Sequence, residues 1–274
     1  MSRKQLKVNT HALSTLAIVL IVIVVAASVV GAVVVWWLLV GSVNLVTEEM
    51  EFSDFMSVEA GWGFEVEITQ SSSYSVEITA DEYVEVSRTG EDEYERELTF
   101  DYIQVSKVGD TLVIGLKSDY NYRSVHLLRP LTLRAEITML DLYELKLSGG
   151  SQGTAKGFTS SHEFTVDLSG GSRFSGEFTT SGDAQFILSG GSHLIGLDGA
   201  ANDLTINGSG GSHLDLSDFP VHDAAVNLSG GSGATVNLDG RLDGDLSGGS
   251  HLKYIGNPTT VDVNTSGGST VGPQ

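Results

Sequence analysis

Cysteine is absent from this 274-residue chain. That excludes a disulfide framework and any thiolate metal centre, and it leaves the redox compartment open. Proline is scarce at four residues, against 33 glycines. Cations are few as well: 15 Lys and Arg face 35 Asp and Glu, a formal net charge of −20. Such a surface repels nucleic acid and anionic lipid headgroups, and it suits solubility, divalent cations or cationic partners. No P-loop, dinucleotide fingerprint or basic aromatic patch is present.

What the chain does have is one phrase, Ser-Gly-Gly-Ser, repeated down its C-terminal half. It occurs in the segments Leu147 to Ser151, Leu168 to Ser172, Leu188 to Ser192, Gly208 to Ser212, Leu228 to Ser232, Leu246 to Ser250 and Thr265 to Ser269, at steps of 21, 20, 20, 20, 18 and 19 residues. A fixed period of this length marks a solenoid, in which each repeat is a rung stacked on the last. It is too long for the nonapeptide calcium-binding repeat. Either side of the phrase, apolar and polar residues alternate. Period 2 means strand, with Leu188, Leu194, Leu204 and Ile206 on one face. Phe164, Val166, Leu168 and Phe174 fill the same columns one way, and Ala224, Val226, Leu228, Ala234, Leu252, Val261 and Val263 the other. Two adjacent glycines per rung argue against helix, at about 1 kcal/mol each. They fit a corner where backbones approach closely. The flanking serines are expected to form a hydroxyl ladder from rung to rung. The expected fold class is all-β, a parallel β-helix with rungs of about 20 residues, preceded by one N-terminal transmembrane helix.

That helix is placed at residues 12–40, an uncharged run rich in Val, Ile and Leu. About 20 apolar residues suffice to span a bilayer, and the run exceeds the apolar core of a cleaved signal peptide. It therefore reads as an uncleaved signal anchor, with Trp36 and Trp37 towards one interface. Arg3, Lys4 and Lys7 precede it, and Glu48, Glu49 and Glu51 follow. Positive-inside reasoning puts residues 1–11 in the cytoplasm and the repeats outside the cell membrane. Residues 41–51 are a connector, and 52–274 the β-helix head, whose phrases begin at 147.

The stretch before the phrases is less regular. Phe64 to Thr69 and Tyr74 to Thr79 alternate around a polar turn, and Thr111 to Lys117 and Leu131 to Ile137 alternate again. Glu91 to Glu97 reads as an exposed turn or edge, and Asp119 to Arg123 as a loop. This half is expected to be a wider start of the same solenoid that caps the stack.

In order, the chain shows a pair of alternating strands, then Gly109-Asp-Thr-Leu-Val-Ile114, then Leu142-Tyr-Glu-Leu-Lys-Leu-Ser-Gly-Gly150. The Ser-Gly-Gly steps follow, ending in His251-Leu-Lys-Tyr-Ile-Gly-Asn-Pro258 and one more Ser-Gly-Gly. In these features it resembles the putative auto-transporter adhesin, head GIN domain family, a domain family of unknown function, over roughly Phe52 to Val271. The resemblance implies a right-handed parallel β-helix, export or membrane anchoring, and no established enzymatic activity. Members often carry Ser-Gly-Ala-Gly or similar, so the serine-ended phrase is a small departure. No catalytic residue is carried over.

Three groups of residues are candidates for chemistry. His193, His213 and His251 each follow a phrase, and stacked imidazoles such as His193 and His213 could share a metal or respond to pH. No carboxylate shares their column, so a solvated face is the plainer reading. A second outward column holds Asp167, Ile187, Asn207, Asn227, Asp245 and Asn264, a composition suited to a hydrogen-bonded ladder. Asn207, Asn227 and Asn264 also head N-glycosylation sequons. Gly149-Gly-Ser-Gln-Gly153 matches the nucleophile-elbow letters, but inside a β repeat it is a coincidence.

The expected function is a structural or adhesin-like binding module of the cell surface, without catalysis or cofactor. Its expected partners are the membrane, through residues 12–40, and surface glycans or proteins; nucleic acid is excluded. A carbohydrate-active enzyme would need clustered acids with Lys or Arg in a groove. The repeats offer only Lys156, Arg173, Arg241 and Lys253, in different columns. An envelope-sensing accessory protein is the other alternative, although residues 1–11 leave little room for an output domain.

Overall fold

A computed structural model describes residues 44–125 and 129–274. The expected membrane span and cytoplasmic tail lie outside the described residues. Among the described residues no helix is long and apolar enough to cross a membrane, and the helical content is one 3-10 turn, Thr99–Asp101. Everything else regular is strand.

The N-terminal half contributes β1 (Leu45–Met50), β2 (Ser57–Ala60), β3 (Glu65–Gln70), β4 (Ser75–Asp81), β5 (Tyr83–Arg88) and β6 (Glu95–Leu98). The hairpin β7 (Ile103–Val108) and β8 (Thr111–Leu116) follows, then β9 (Tyr120–Ser124) and β10 (Leu133–Met139). From there each circuit adds a short and a longer strand. The pairs are β11 (Glu144–Leu147) with β12 (Gln152–Ser160), β13 (Phe164–Leu168) with β14 (Arg173–Thr180), and β15 (Ala184–Leu188) with β16 (His193–Ala200). Next come β17 (Leu204–Gly208) with β18 (His213–Val221), and β19 (Ala224–Leu228) with β20 (Gly233–Leu238). β21 (Arg241–Leu246) with β22 (His251–Gly256), and β23 (Thr260–Thr265) with β24 (Thr270–Pro273), complete the stack.

Short strands pair in parallel with short, and longer with longer, giving two facing sheets. One runs β23-β21-β19-β17-β15-β13-β11-β2-β8-β7, the other β1-β4-β10-β3-β12-β14-β16-β18-β20-β22-β24. The expected columns are in register: Leu204 pairs with Ala184 and Ala224, and Leu194 with Phe174 and Leu214. Their side chains close into one apolar core. Its N-terminal part is aromatic. Phe164 lies flat on Phe178, with centroids 3.7 Å apart, and Phe178 stacks on Phe158 at 5.5 Å. Each fully buried side chain of this size contributes about 1.5–3 kcal/mol. Unequal rung lengths are absorbed in the longer strands, where the register shifts between Ala155 and Phe158 and between Leu216 and Pro220. The corners stay uniform.

Each corner is the phrase itself. In Ser189-Gly-Gly-Ser192 both glycines hold positive φ, 63° and 75°, and the Ser192 amide donates to the Ser189 carbonyl. That is the pattern of a type I′ turn, which needs φ above zero at both central residues. The serine ladder expected from the sequence is corrected here. In every turn but the last the second serine is buried and its hydroxyl donates within its own turn: Ser172 Oγ to the Ser169 carbonyl at 2.7 Å, Ser192 to Ser189 at 2.7 Å, Ser232 to Ser229 at 2.7 Å. In the last, Ser269 Oγ accepts from the Ser250 amide at 3.1 Å. A carbonyl three residues back, held by the turn, is a nearer acceptor than a hydroxyl on the next rung.

The N-terminal half departs from the sequence reading in order rather than in kind. β2 and β3 form a rung of the same type, joined at Gly61-Trp62-Gly63-Phe64, with φ of 63° at Trp62 and 77° at Gly63. This rung stacks on β11 and β12 on one side and on β8 and β10 on the other. The chain therefore returns to lay a later rung outside an earlier one. β10 lies between β3 and β4, which are adjacent in sequence but not in the sheet. Residues 41–51 include β1, paired antiparallel with β4. The segment Asp119 to Arg123, read as a loop, is mostly β9, in a three-stranded sheet β6-β5-β9.

Candidate binding face

In each short strand the residue before the last inward position points out. Register pairing brings Glu59, Lys146, Asp167, Ile187, Asn207, Asn227, Asp245 and Asn264 into one file down the ten-stranded sheet. Neighbouring strands are about 4.8 Å apart, so consecutive amides and carboxylates can bond directly. Asn227 Nδ2 donates to Asn207 Oδ1 at 3.3 Å, and Asn264 Nδ2 to Asp245 Oδ1 at 3.0 Å. The asparagine file expected from the sequence is thus a hydrogen-bonded ladder. Beside it run the first serines of the turns. The two files line a shallow groove of about 400 Å³ bordered by Asn207, Asn227, Asp245, Ser189, Ser209 and Ser229, with Ile187, Leu188 and Leu228 also reaching it.

The ladder is longer than the sequence reading made it. Glu59 and Lys146 belong to it. Lys146 could have been found, because Leu145-Lys146-Leu147 stands in the same frame as Val166-Asp167-Leu168; Glu59 lies before any phrase. Lys146 Nζ is 2.9 Å from Glu144 Oε1, and that hydrogen bond raises the lysine pKa above its ordinary value. Arg241 likewise pairs with Asp243 at 2.6 Å. The third cation of this sheet, Lys107 of β7, donates to the Ser53 carbonyl at 2.9 Å, so apart from Ile187 the file and its surroundings present amides, hydroxyls and carboxylates.

The histidine column lies on the other sheet. His193 and His213 are register partners with ring centroids 6.3 Å apart. His251 is two rungs on from His213, across Gly233, and bonds Thr270 Oγ1 at 2.8 Å. Among the described residues no group of three or more His, Cys, Asp or Glu is placed to hold a metal. A further histidine, His222, sits at the opposite corner. Its hydrogen bond to Asp239, at 2.9 Å, raises its pKa, and nearby Asp223 adds to this. The nucleophile-elbow letters fall on the turn between β11 and β12, with no helix following. The strand-to-helix geometry that motif requires is not formed.

A two-sheet parallel solenoid whose one outward face is a polar ladder defines a class of β-helix that displays repeated side chains. The chain belongs to the family described as "Putative auto-transporter adhesin, head GIN domain", which matches residues 95–258. Among solved structures it is similar to a putative adhesin from Bacteroides fragilis, at 16% identity and a TM-score of 0.70 over 85% of this chain and 98% of that one. A putative adhesin from Parabacteroides merdae aligns at 16% identity and a TM-score of 0.56 over 84% and 96%. A protein described as a putative lipid binding protein from Parabacteroides distasonis aligns at 19% identity and a TM-score of 0.53 over 84% and 97%. At such identities the likeness is one of fold. No curated protein matches the chain.

Proposed function

We propose that the chain is a membrane-anchored, extracytoplasmic binding module of the adhesin type. It would hold an extended, hydroxyl-rich polymer such as a surface glycan along the ten-stranded sheet, without chemical change. The observation that carries this reading is the ladder. It repeats a polar group on every rung except that of Ile187, and so suits a ligand that itself repeats. Anchoring through residues 12–40, with the head outside, is supported by the uncharged run and by Arg3, Lys4 and Lys7 before it. The sequons fall on the same three ladder asparagines. A glycan on Asn227 would project into the groove, so the reading assigns these amides to ligand contact rather than to modification.

The test is binding of the full chain, in a detergent without sugar head groups, to a glycan array. Binding without release of new reducing ends is the expected result. Asn207→Ala with Asn227→Ala should weaken it about thirty-fold, from about 1 kcal/mol per lost hydrogen bond. Turnover of any array glycan, or full binding by the double variant, would sink the proposal.

A further inference from the structure

One residue breaks the corner column. Where every later turn has its first glycine, the first rung has Trp62, at φ +63°. Backbone at this φ is a genuine outlier for a bulky side chain and tends to persist at functional sites. Burial does not account for it, because the side chain is 47% exposed. Nor does the stack demand it: the Trp62 backbone packs on Gly149 much as Gly149 packs on Gly170, with an added Cβ 3.2 Å and 3.1 Å from the neighbouring amide nitrogen.

The indole is held in a set position. It lies against Gly115 of β8, where an added Cβ would come within 3.3 Å of its ring. Tyr122 meets it edge-on at 5.8 Å. The Tyr122 hydroxyl donates to the Lys117 carbonyl, and burial raises its pKa to about 12, so it stays a neutral phenol. Tyr102 and Tyr120 extend the aromatic wall, with their centroids 4.9 Å apart. Two hollows flank the ring. One, of about 610 Å³, is bordered by Tyr94, Asn121, Tyr122 and Arg123. The other, of about 550 Å³, is bordered by Glu59, Gln104, Ser106 and Ser148. Glu59 and Ser148 belong to the ladder and serine files, so this second hollow continues the binding face at its N-terminal end.

We infer that Trp62 is the aromatic platform of a subsite for one neutral hexopyranose unit of a glycan chain. The inference rests on the reading of the ladder as a glycan track for its ligand class, and on Trp62 for its place. A pyranose has C–H faces that meet the negative face of an indole, and an equator of hydroxyls that needs donors and acceptors. In the hollow that continues the binding face, Gln104, Ser106 and Glu59 supply that rim. A neutral unit fits because, among the described residues that line the two hollows, the cation is Arg123, whose guanidinium is paired with Glu85 and lies 4.1 Å over the Tyr94 ring. The chain as a whole carries −20 and repels anionic sugars.

The test uses the full chain with Trp36→Phe and Trp37→Phe, which leaves Trp62 as its one tryptophan, in a detergent without sugar head groups. Maltohexaose, cellohexaose, mannohexaose and chitohexaose are titrated against its fluorescence. At least one should give a saturable change. Calorimetry should then show Trp62→Gly weakening that binding at least ten-fold, while its Tm is unchanged or higher. Trp62→Tyr should retain most of the affinity. No saturable change with any probe overturns the inference, as does undiminished binding by Trp62→Gly. If Trp62 were only a cap, Trp62→Gly would lower Tm and the parent's fluorescence would not respond to the sugars. If Trp62→Gly binds normally while the double asparagine variant does not, the subsite falls and the ladder reading stands. If the parent binds nothing on the array either, both fall.

Discussion

At Gly190 two separate constraints meet. Its φ is +63°, and a Cβ built there would stand 3.1 Å from the backbone nitrogen of Gly170 on the rung before. Its neighbour Gly191 has φ +75° but nothing within 4 Å of an added Cβ. Conformation alone costs an L-residue about 1–2 kcal/mol there. The first position adds the cost of prising two backbones apart, so Gly190→Ala should lose more stability than Gly191→Ala. Urea unfolding at constant m-value measures both. Equal losses would mean that corner spacing is slack and that only φ matters. Trp62 carries the same conformational cost without any packing need for a side chain, which is why it stands out once the columns are aligned.

At the scale of elements, the stack and the start of the chain are held by different means. The repeats are held by apolar columns; the three-stranded sheet is tied back by an ion pair buried on its Asp81 side. Asp81, at the end of β4, accepts from Arg129 Nη2 and from the Thr132 amide at 3.1 Å, and Arg129 Nη2 also bonds Thr132 Oγ1 at 3.0 Å. The Asp81 side chain is 3% exposed. The Arg129 side chain is 31% exposed, so removing Asp81 leaves a charge that water reaches in part. Asp81→Ala should therefore destabilise by about 1–3 kcal/mol, the cost of lost hydrogen bonds to a charged group. In hydrogen exchange, β5, β9 and β10 should lose protection first, while β13 to β20 keep theirs. Uniform loss across all strands would overturn this division.

The same division explains what could be read from the sequence. From Leu147 onward the period-2 columns, the corner glycines and the asparagine file are local patterns, and they lie where expected except at the last rung, where Val261, read as a core residue, is 41% exposed because no further rung covers it. Before Leu147, β10 inserts between β3 and β4, a pairing made across more than fifty residues that no local spacing encodes. The first corner lacks the Ser-Gly-Gly letters because Trp62 replaces a glycine. β9 was missed because Tyr120-Asn-Tyr-Arg123 mixes rings with polar residues, and its strand character comes from pairing with β5. The serine hydroxyls were assigned to the wrong acceptor because spacing alone cannot separate a carbonyl in the same turn from a hydroxyl one rung away.

For the whole molecule, each rung touches mainly the rungs above and below, so a complete circuit is a removable unit. Deleting residues 189–208 joins Leu188 directly to Ser209, which leads into an intact Ser-Gly-Gly-Ser corner. β15 then meets β19, and β14 meets β18, through equivalent columns. This variant, handled in detergent, should fold to a β-protein with one cooperative melt and a lower Tm, having lost one rung interface. Deleting residues 189–198 removes half a circuit and one corner, and joins Leu188 to Gly199. The chain would then enter the longer-strand sheet halfway along, leaving Leu214 without Leu194, its partner in β16, and the protein should show no cooperative melt. Circular dichroism and thermal melting distinguish the two. If both deletions behave alike, the rung is not the unit of stability. The register of the ladder would then owe to something other than stacking.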